Sequence, residues 1–140
     1  MSKPKVLLVE DKKSDVRLVK EAFGILKVET DFNAVYDGEE ALNYIFKKGK
    51  YASAETPDIV IMDIKMPRKN GREVLKEIRE NSATKDITVF MLTNSDAKED
   101  ILDSYEHRAN SYMTKPLELS EFVEIIKYIN EMWLKKTGRN

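Results

Sequence analysis

Val60–Pro67 reads VIMDIKMP. Three apolar residues run without a break, Asp63 follows, Lys65 stands two positions on and Pro67 two beyond that. Unbroken rather than alternating apolarity marks a strand buried on both faces, as in a parallel sheet. The aspartate then has two readings. It is either a residue that stops a strand and starts a turn, or a carboxylate held at a site.

The flanking chain repeats the pattern. Further apolar runs occur at KVLLV (Lys5–Val9), ITVFML (Ile87–Leu92) and, more weakly, SYMT (Ser111–Thr114). ETDFNAVY (Glu29–Tyr36) is more polar and suits an edge strand. Helical spacing fills the intervals: Val16, Val19, Ala22 and Phe23 after a cap at Ser14 or Asp15, with Gly24 near the end. Ala41, Leu42, Ile45 and Phe46 fall on one face of Gly38–Lys48, and Val74, Leu75 and Ile78 on one face of Gly71–Glu80. A fourth helix is expected at about 98–108 (Ile101, Leu102, Tyr105), and a fifth from Ser120 with Phe122, Ile125, Ile126, Ile129 and Trp133. Five alternations of strand and helix predict a parallel α/β sheet with helices on both faces. The one long connection, Lys47–Asp58, is polar and carries no motif.

Composition narrows the function. The 140 residues fit a single domain spanning 1–140. Lys and Arg number 24 against 25 Asp and Glu, a formal net charge of −1, so no basic footprint for nucleic acid exists. The absence of cysteine excludes disulfides and thiolate metal sites. The N-terminus turns acidic too soon for a signal-peptide core and no apolar run approaches a membrane span, so the expectation is a soluble cytoplasmic protein.

In an open parallel sheet, ligands sit beyond the carboxyl ends of the strands. The first strand ends at Glu10 and Asp11, the third at Asp63, the fourth at Thr93 and the fifth at Lys115. A turn role explains any one of these, not their arrival at one edge. Crowded carboxylates repel unless a cation joins them, and Mg²⁺ suits a few carboxylates plus a phosphate. A carboxylate is also a nucleophile towards phosphorus, and a lysine and a hydroxyl nearby are fixed donors to phosphoryl oxygens.

LLVEDKKSDVRL, VIMDIKMPRKNG, VFMLTNSDA and NSYMTKP, in this order and one per strand end, resemble the receiver domains of two-component response regulators across essentially the whole chain. The resemblance implies a flavodoxin-like fold with strand order 2-1-3-4-5 and five helices. It implies a phosphoacceptor, Asp63, that takes its phosphoryl group from a sensor histidine kinase. Asp11, Asp63 and the Lys65 backbone carbonyl would bind Mg²⁺, with Glu10 acting through water. Lys115 would pair with the phosphoryl oxygens, Thr93 and Tyr112 would act as switch residues, and the Lys115–Pro116 peptide would be cis. VEDKKSDVRLVKEA, SDAKEDIL and the loop ending in TPD resemble the stand-alone receivers that partner phytochrome-type kinases. Signalling would then run by contact through the surface of the fourth helix, fifth strand and fifth helix. A phosphorelay intermediate or phosphate sink is the alternative within this class, and Tyr128, Met132 and Trp133 offer apolar surface for a partner or homodimer.

Departures from the family pattern fall at Arg108, where Gly is common, and at Asn94, where a smaller residue is common. Lys65 and Ser95 stand at positions that vary with hydrolysis rate. His107, the only histidine, reads as a helix-end residue rather than a phosphotransfer group. Two other functions share parts of the pattern. An FMN-binding flavodoxin needs a neutral phosphate-cradling loop after the first strand, where this chain has EDKKSD. A haloacid-dehalogenase-type phosphatase needs a second Asp where Lys65 stands.

Overall fold

Strand β3 (Ile59–Asp63) is buried at all five positions and lies at the centre of the sheet. The computed structural model of the chain describes residues 3–93 and 109–134. Around β3 stand β1 (Lys5–Val9), β2 (Asp31–Val35), β4 (Thr88–Thr93) and β5 (Ser111–Thr114), in the order β2-β1-β3-β4-β5 and all parallel. The polar strand β2 takes an edge, as its alternation of exposed and covered residues requires.

Alternate residues of each strand feed two separate cores. Leu7, Val9, Val60, Met62, Val89 and Met91 meet helices α2 (Gly38–Ile45) and α3 (Gly71–Glu80) on one face. Val6, Leu8, Ile59, Ile61, Phe90 and Leu92 meet α1 (Lys13–Ile25) and α4 (Leu119–Ile129) on the other. Burial on both faces is why these strands show no polar alternation. The pairing is extended at the ends: Lys5 N–H donates to Asp58 Oδ2 at 2.7 Å, and Asp58 N–H donates back to the Lys5 carbonyl at 2.8 Å.

Four α-helices occur among the described residues. The further helix expected at about 98–108 lies outside them, as do Asn94, Ser95, His107, Arg108 and the side chain of Thr93. Helix α1 is capped at Lys12 without a side-chain cap, so Ser14 and Asp15 fall in its first turn instead of before it. The long connection is partly ordered by a 3₁₀ turn, Gly49–Tyr51. Its Tyr51 hydroxyl donates to Glu40 Oε2 at 2.8 Å. The chain continues past α4 as a π-helical turn, Asn130–Leu134, and Trp133 stacks edge-on against Phe90 with ring centroids 4.7 Å apart. That indole therefore belongs to the core, while Tyr128 and Met132 remain 42% and 40% exposed.

Candidate functional site

Strands β1, β3 and β5 deliver side chains at their ends to one edge because the register is in phase. Val9 pairs with Met62 and Thr93 with Thr114, so Glu10 follows beside Asp63, and Lys115 follows β5 on the same side. The backbone pairing extends past the strand ends, with Glu10 N–H donating to the Val35 carbonyl and Ile64 N–H to the Leu92 carbonyl. These residues are thus held on continuous sheet rather than on free loops.

Oxygen atoms of Glu10, Asp11 and Asp63 lie within 4.8 Å of one another. Asp11 is exposed, while Glu10 and Asp63 are buried. The Lys115 ammonium, 3% exposed, is bonded to Glu10 Oε1, to Asp63 Oδ2 at 3.0 Å and to Asp15 Oδ2 at 2.9 Å. Glu10 Oε2 accepts from the Lys12 N–H at 3.0 Å. The Asp63 carboxylate also accepts from the Lys65 N–H, while the Lys65 side chain is exposed.

Electrostatics follow from crowding and burial. Burial lifts Glu10 to about 7, although bonds from Lys115 and the Lys12 N–H pull it down. Burial also raises Asp63 above its ordinary value against the opposing charge and bond of Lys115. For Lys115 burial disfavours the ammonium, but bonds to Glu10 and Asp15 and the charge of Asp63 outweigh it and raise the group. One ammonium among four carboxylates leaves negative charge uncompensated. An all-carboxylate donor set of this kind suits a hard divalent cation, so these residues fit the metal that the motifs imply.

The loop after Asp63 is built for close approach. Gly71, the first residue of α3, donates its N–H to the Ile64 carbonyl at 2.7 Å. A Cβ on Gly71 would stand 2.4 Å from the Asp63 carbonyl oxygen, so only glycine permits this contact. Asn70 and Glu73 form a reciprocal capping box that fixes the helix start.

A model of the response regulator receiver domain matches residues 6–127. The chain belongs to the response-regulator receiver family. Among this receiver's relatives, response regulator Rcp1 of Synechocystis sp. is 37% identical over 133 residues, covering 94% of this chain and 90% of the relative. The crystal structure of the phosphorylated cyanobacterial phytochrome response regulator RcpA superimposes with a TM-score of 0.90 at 41% identity, covering 97% of this chain and 96% of that one. The Mn²⁺-bound form of Rcp1 superimposes with a TM-score of 0.85 at 35% identity, covering 94% and 96%. Membership decides against the flavin-binding and phosphatase alternatives.

Of the residues singled out in the receiver's sequence, Glu10, Asp11, Asp63 and Lys115 come together. Tyr112 lies partly buried on β5 against the core cluster of the α2 and α3 face. Thr93 is the last residue of β4. The Lys115–Pro116 peptide is not cis, since no cis peptide bond occurs among the described residues. A proline nitrogen lowers the trans preference without reversing it, and the lysine reaches its three carboxylates from the trans form. Sequence reasoning missed Asp15, which was read as a helix cap. Its signal was position: in the first turn of a helix that starts at this edge, a side chain leans back towards the helix N-terminus and so towards the site.

No described helix is long and apolar enough to cross a membrane.

Proposed function

We propose that this receiver is a single-domain response regulator, spanning 1–140, that works in the cytoplasm and accepts a phosphoryl group on Asp63. The donor is a phosphohistidine of a sensor histidine kinase, of phytochrome type by analogy with the relatives. The observation that carries this reading is the Lys115 ammonium, bonded to Asp63 within a cluster of three carboxylates.

An Asp63 carboxylate oxygen attacks phosphorus. The Oδ–P bond forms as the N–P bond of the donor breaks, and the bonding pair returns to the imidazole nitrogen. Lys115, fixed by its buried ion pairs, donates to a phosphoryl oxygen where negative charge concentrates. Asp11, Asp63 and the Lys65 carbonyl would hold Mg²⁺, with Glu10 joining them, and the bound ion supplies neutralisation of charge between carboxylates and phosphoryl oxygens. Asp63 loses its free carboxylate charge in the acyl phosphate, and Thr93 and Tyr112 respond by moving towards the new group. The protein catalyses only its own phosphorylation and dephosphorylation. The outcome is a local charge event biasing a two-state surface that includes β5 and α4. Tyr128 and Met132 supply apolar contact there for a downstream protein or a second copy.

Incubation with acetyl phosphate and Mg²⁺, followed by intact mass measurement, tests the chemistry. One acid-stable, base-labile phosphoryl group is expected, absent in Asp63→Asn and absent in EDTA. Labelling of Asp63→Asn at the wild-type level would exclude Asp63 as the acceptor.

A further inference from the structure

An ammonium has three N–H donors. Those of Lys115 face three acceptors, Glu10 Oε1, Asp15 Oδ2 at 2.9 Å and Asp63 Oδ2 at 3.0 Å. The donor set is therefore full in the resting protein. On the reading that Asp63 becomes phosphorylated, which this inference rests on, Lys115 must exchange one of these three acceptors for a phosphoryl oxygen.

The three partners differ in what release costs. Glu10 is 5% exposed at the end of a central strand, so a carboxylate abandoned there gains little water. Asp63, 9% exposed, loses its charge in the acyl phosphate but keeps a carbonyl oxygen beside the lysine. Asp15 is 18% exposed and stands in the first turn of α1. Released, it rehydrates and keeps the favourable potential of a helix N-terminus. Asp63 and Glu10 are also the groups beside which the phosphoryl group would sit, so the lysine need not leave them to reach it.

We propose that Asp15 is a positioning residue for phosphoryl capture: it holds Lys115 in the unphosphorylated protein and surrenders it to the phosphoryl oxygen. Its charge makes capture less favourable, both by occupying a donor and by repelling the incoming anion. Asp15 thereby sets how far the resting state resists phosphorylation. A merely structural role, anchoring α1 to the sheet, predicts the opposite sign, because a misplaced lysine binds the anion worse.

Fluoroberyllate serves as the phosphoryl probe. Calorimetric titration at saturating Mg²⁺ is expected to give Asp15→Asn an affinity about two- to five-fold tighter than wild type, the scale of a partly exposed ion pair. Asp15→Ser, which also removes the carboxylate, should show the same gain, and Asp15→Glu should bind like wild type. Titrated with Mg²⁺ alone, Asp15→Asn should show no gain, since a lost negative charge cannot favour a cation. Fluoroberyllate binding to Asp15→Asn and Asp15→Ser that equals or falls below wild type overturns the proposal. Wild-type protein that binds no fluoroberyllate with Mg²⁺ removes the phosphoacceptor reading itself, and the proposal with it.

Discussion

Lys115 is the residue on which the site's electrostatics turn. Its ammonium is nearly sealed from water, yet three carboxylates surround it. Removing one partner of a buried ion pair leaves the others as uncompensated charge, at a cost of about 3–5 kcal/mol in well-buried cases. Lys115→Met keeps the length and removes the charge, stranding Glu10 and Asp63. Its unfolding free energy in metal-free urea titrations is expected to fall by about 2–4 kcal/mol, somewhat below the full cost because Glu10, already raised to about 7 by burial, takes up a proton in compensation. Mg²⁺ should recover more stability in this variant than in wild type. A variant as stable as wild type in EDTA would mean that the lysine carries no such role. The same residue shows where sequence reading reaches its limit. That Lys115 meets Asp63 followed from strand ends sharing an edge, but its third partner depended on where α1 begins. With Asp15 read as a cap, its side chain faced the helix backbone; with the helix starting at Lys13, it turns to the lysine.

At the scale of elements, two helices stop in the same way and neither uses glycine. Val28 N–H donates to the Phe23 carbonyl and Lys27 N–H to that of Gly24, closing α1 with Lys27 in the left-handed region at φ 54°. Lys48 N–H donates to the Asn43 carbonyl and Lys47 N–H to that of Tyr44, closing α2 with Lys47 at φ 59°. This is the Schellman arrangement, whose left-handed position glycine fills without steric penalty. Gly24 does fall near the end of α1, as expected, but the left-handed position comes three residues later at Lys27, where a lysine leaves no signal because it suits the helix dipole in any conformation. Lys27→Gly and Lys47→Gly are each expected to raise stability by about 0.5–1 kcal/mol, read as a higher urea midpoint at unchanged slope. A lowered midpoint would mean that the lysine's charge outweighs its strain. The connection after α2 hides a second feature, since a polar loop has no periodicity to betray an anchor. Tyr51 bonds Glu40, and burial first, then that bond and the carboxylate's charge, push its phenol up to about 12. The unfolded phenol ionises near 10, so the folded state holds this proton more tightly. The stabilising contribution is complete below pH 10 and disappears as pH rises through about 12. Tyr51→Phe is expected to flatten the loss of stability between pH 10 and 12, and to remove one late-titrating phenol from the tyrosinate absorbance curve. An unchanged curve would place Tyr51 among the ordinary phenols.

Across the whole molecule, stability and function oppose each other at the sheet edge. The sheet itself was legible because burial on both faces writes itself as unbroken apolar runs, and parallel order then forces every strand terminus to one side. Glu10, Asp11, Asp63 and Lys115 were found by that rule alone. The isomer of the Lys115–Pro116 bond was not, because tertiary context and not local sequence selects it. What the fold accepts at that edge is a cluster of carboxylates whose mutual repulsion the Lys115 ammonium offsets only in part, and on the proposed reading Mg²⁺ supplies the rest. Binding to the folded state alone adds RT ln(1 + [Mg²⁺]/Kd), about 2.7 kcal/mol at a hundred-fold excess over Kd. Thermal unfolding of the wild type is therefore expected to shift upward, saturably, with Mg²⁺. Asp11→Asn separates the two halves of the trade: Asp11 is exposed, so its loss leaves no cavity, and one fewer negative charge relieves the cluster. The variant should melt at or above the wild-type temperature in EDTA, yet lose most of the Mg²⁺ shift. If Asp11→Asn melts lower in EDTA, the cluster is not repulsive in the folded state. If it keeps the full Mg²⁺ shift, the ion is held elsewhere.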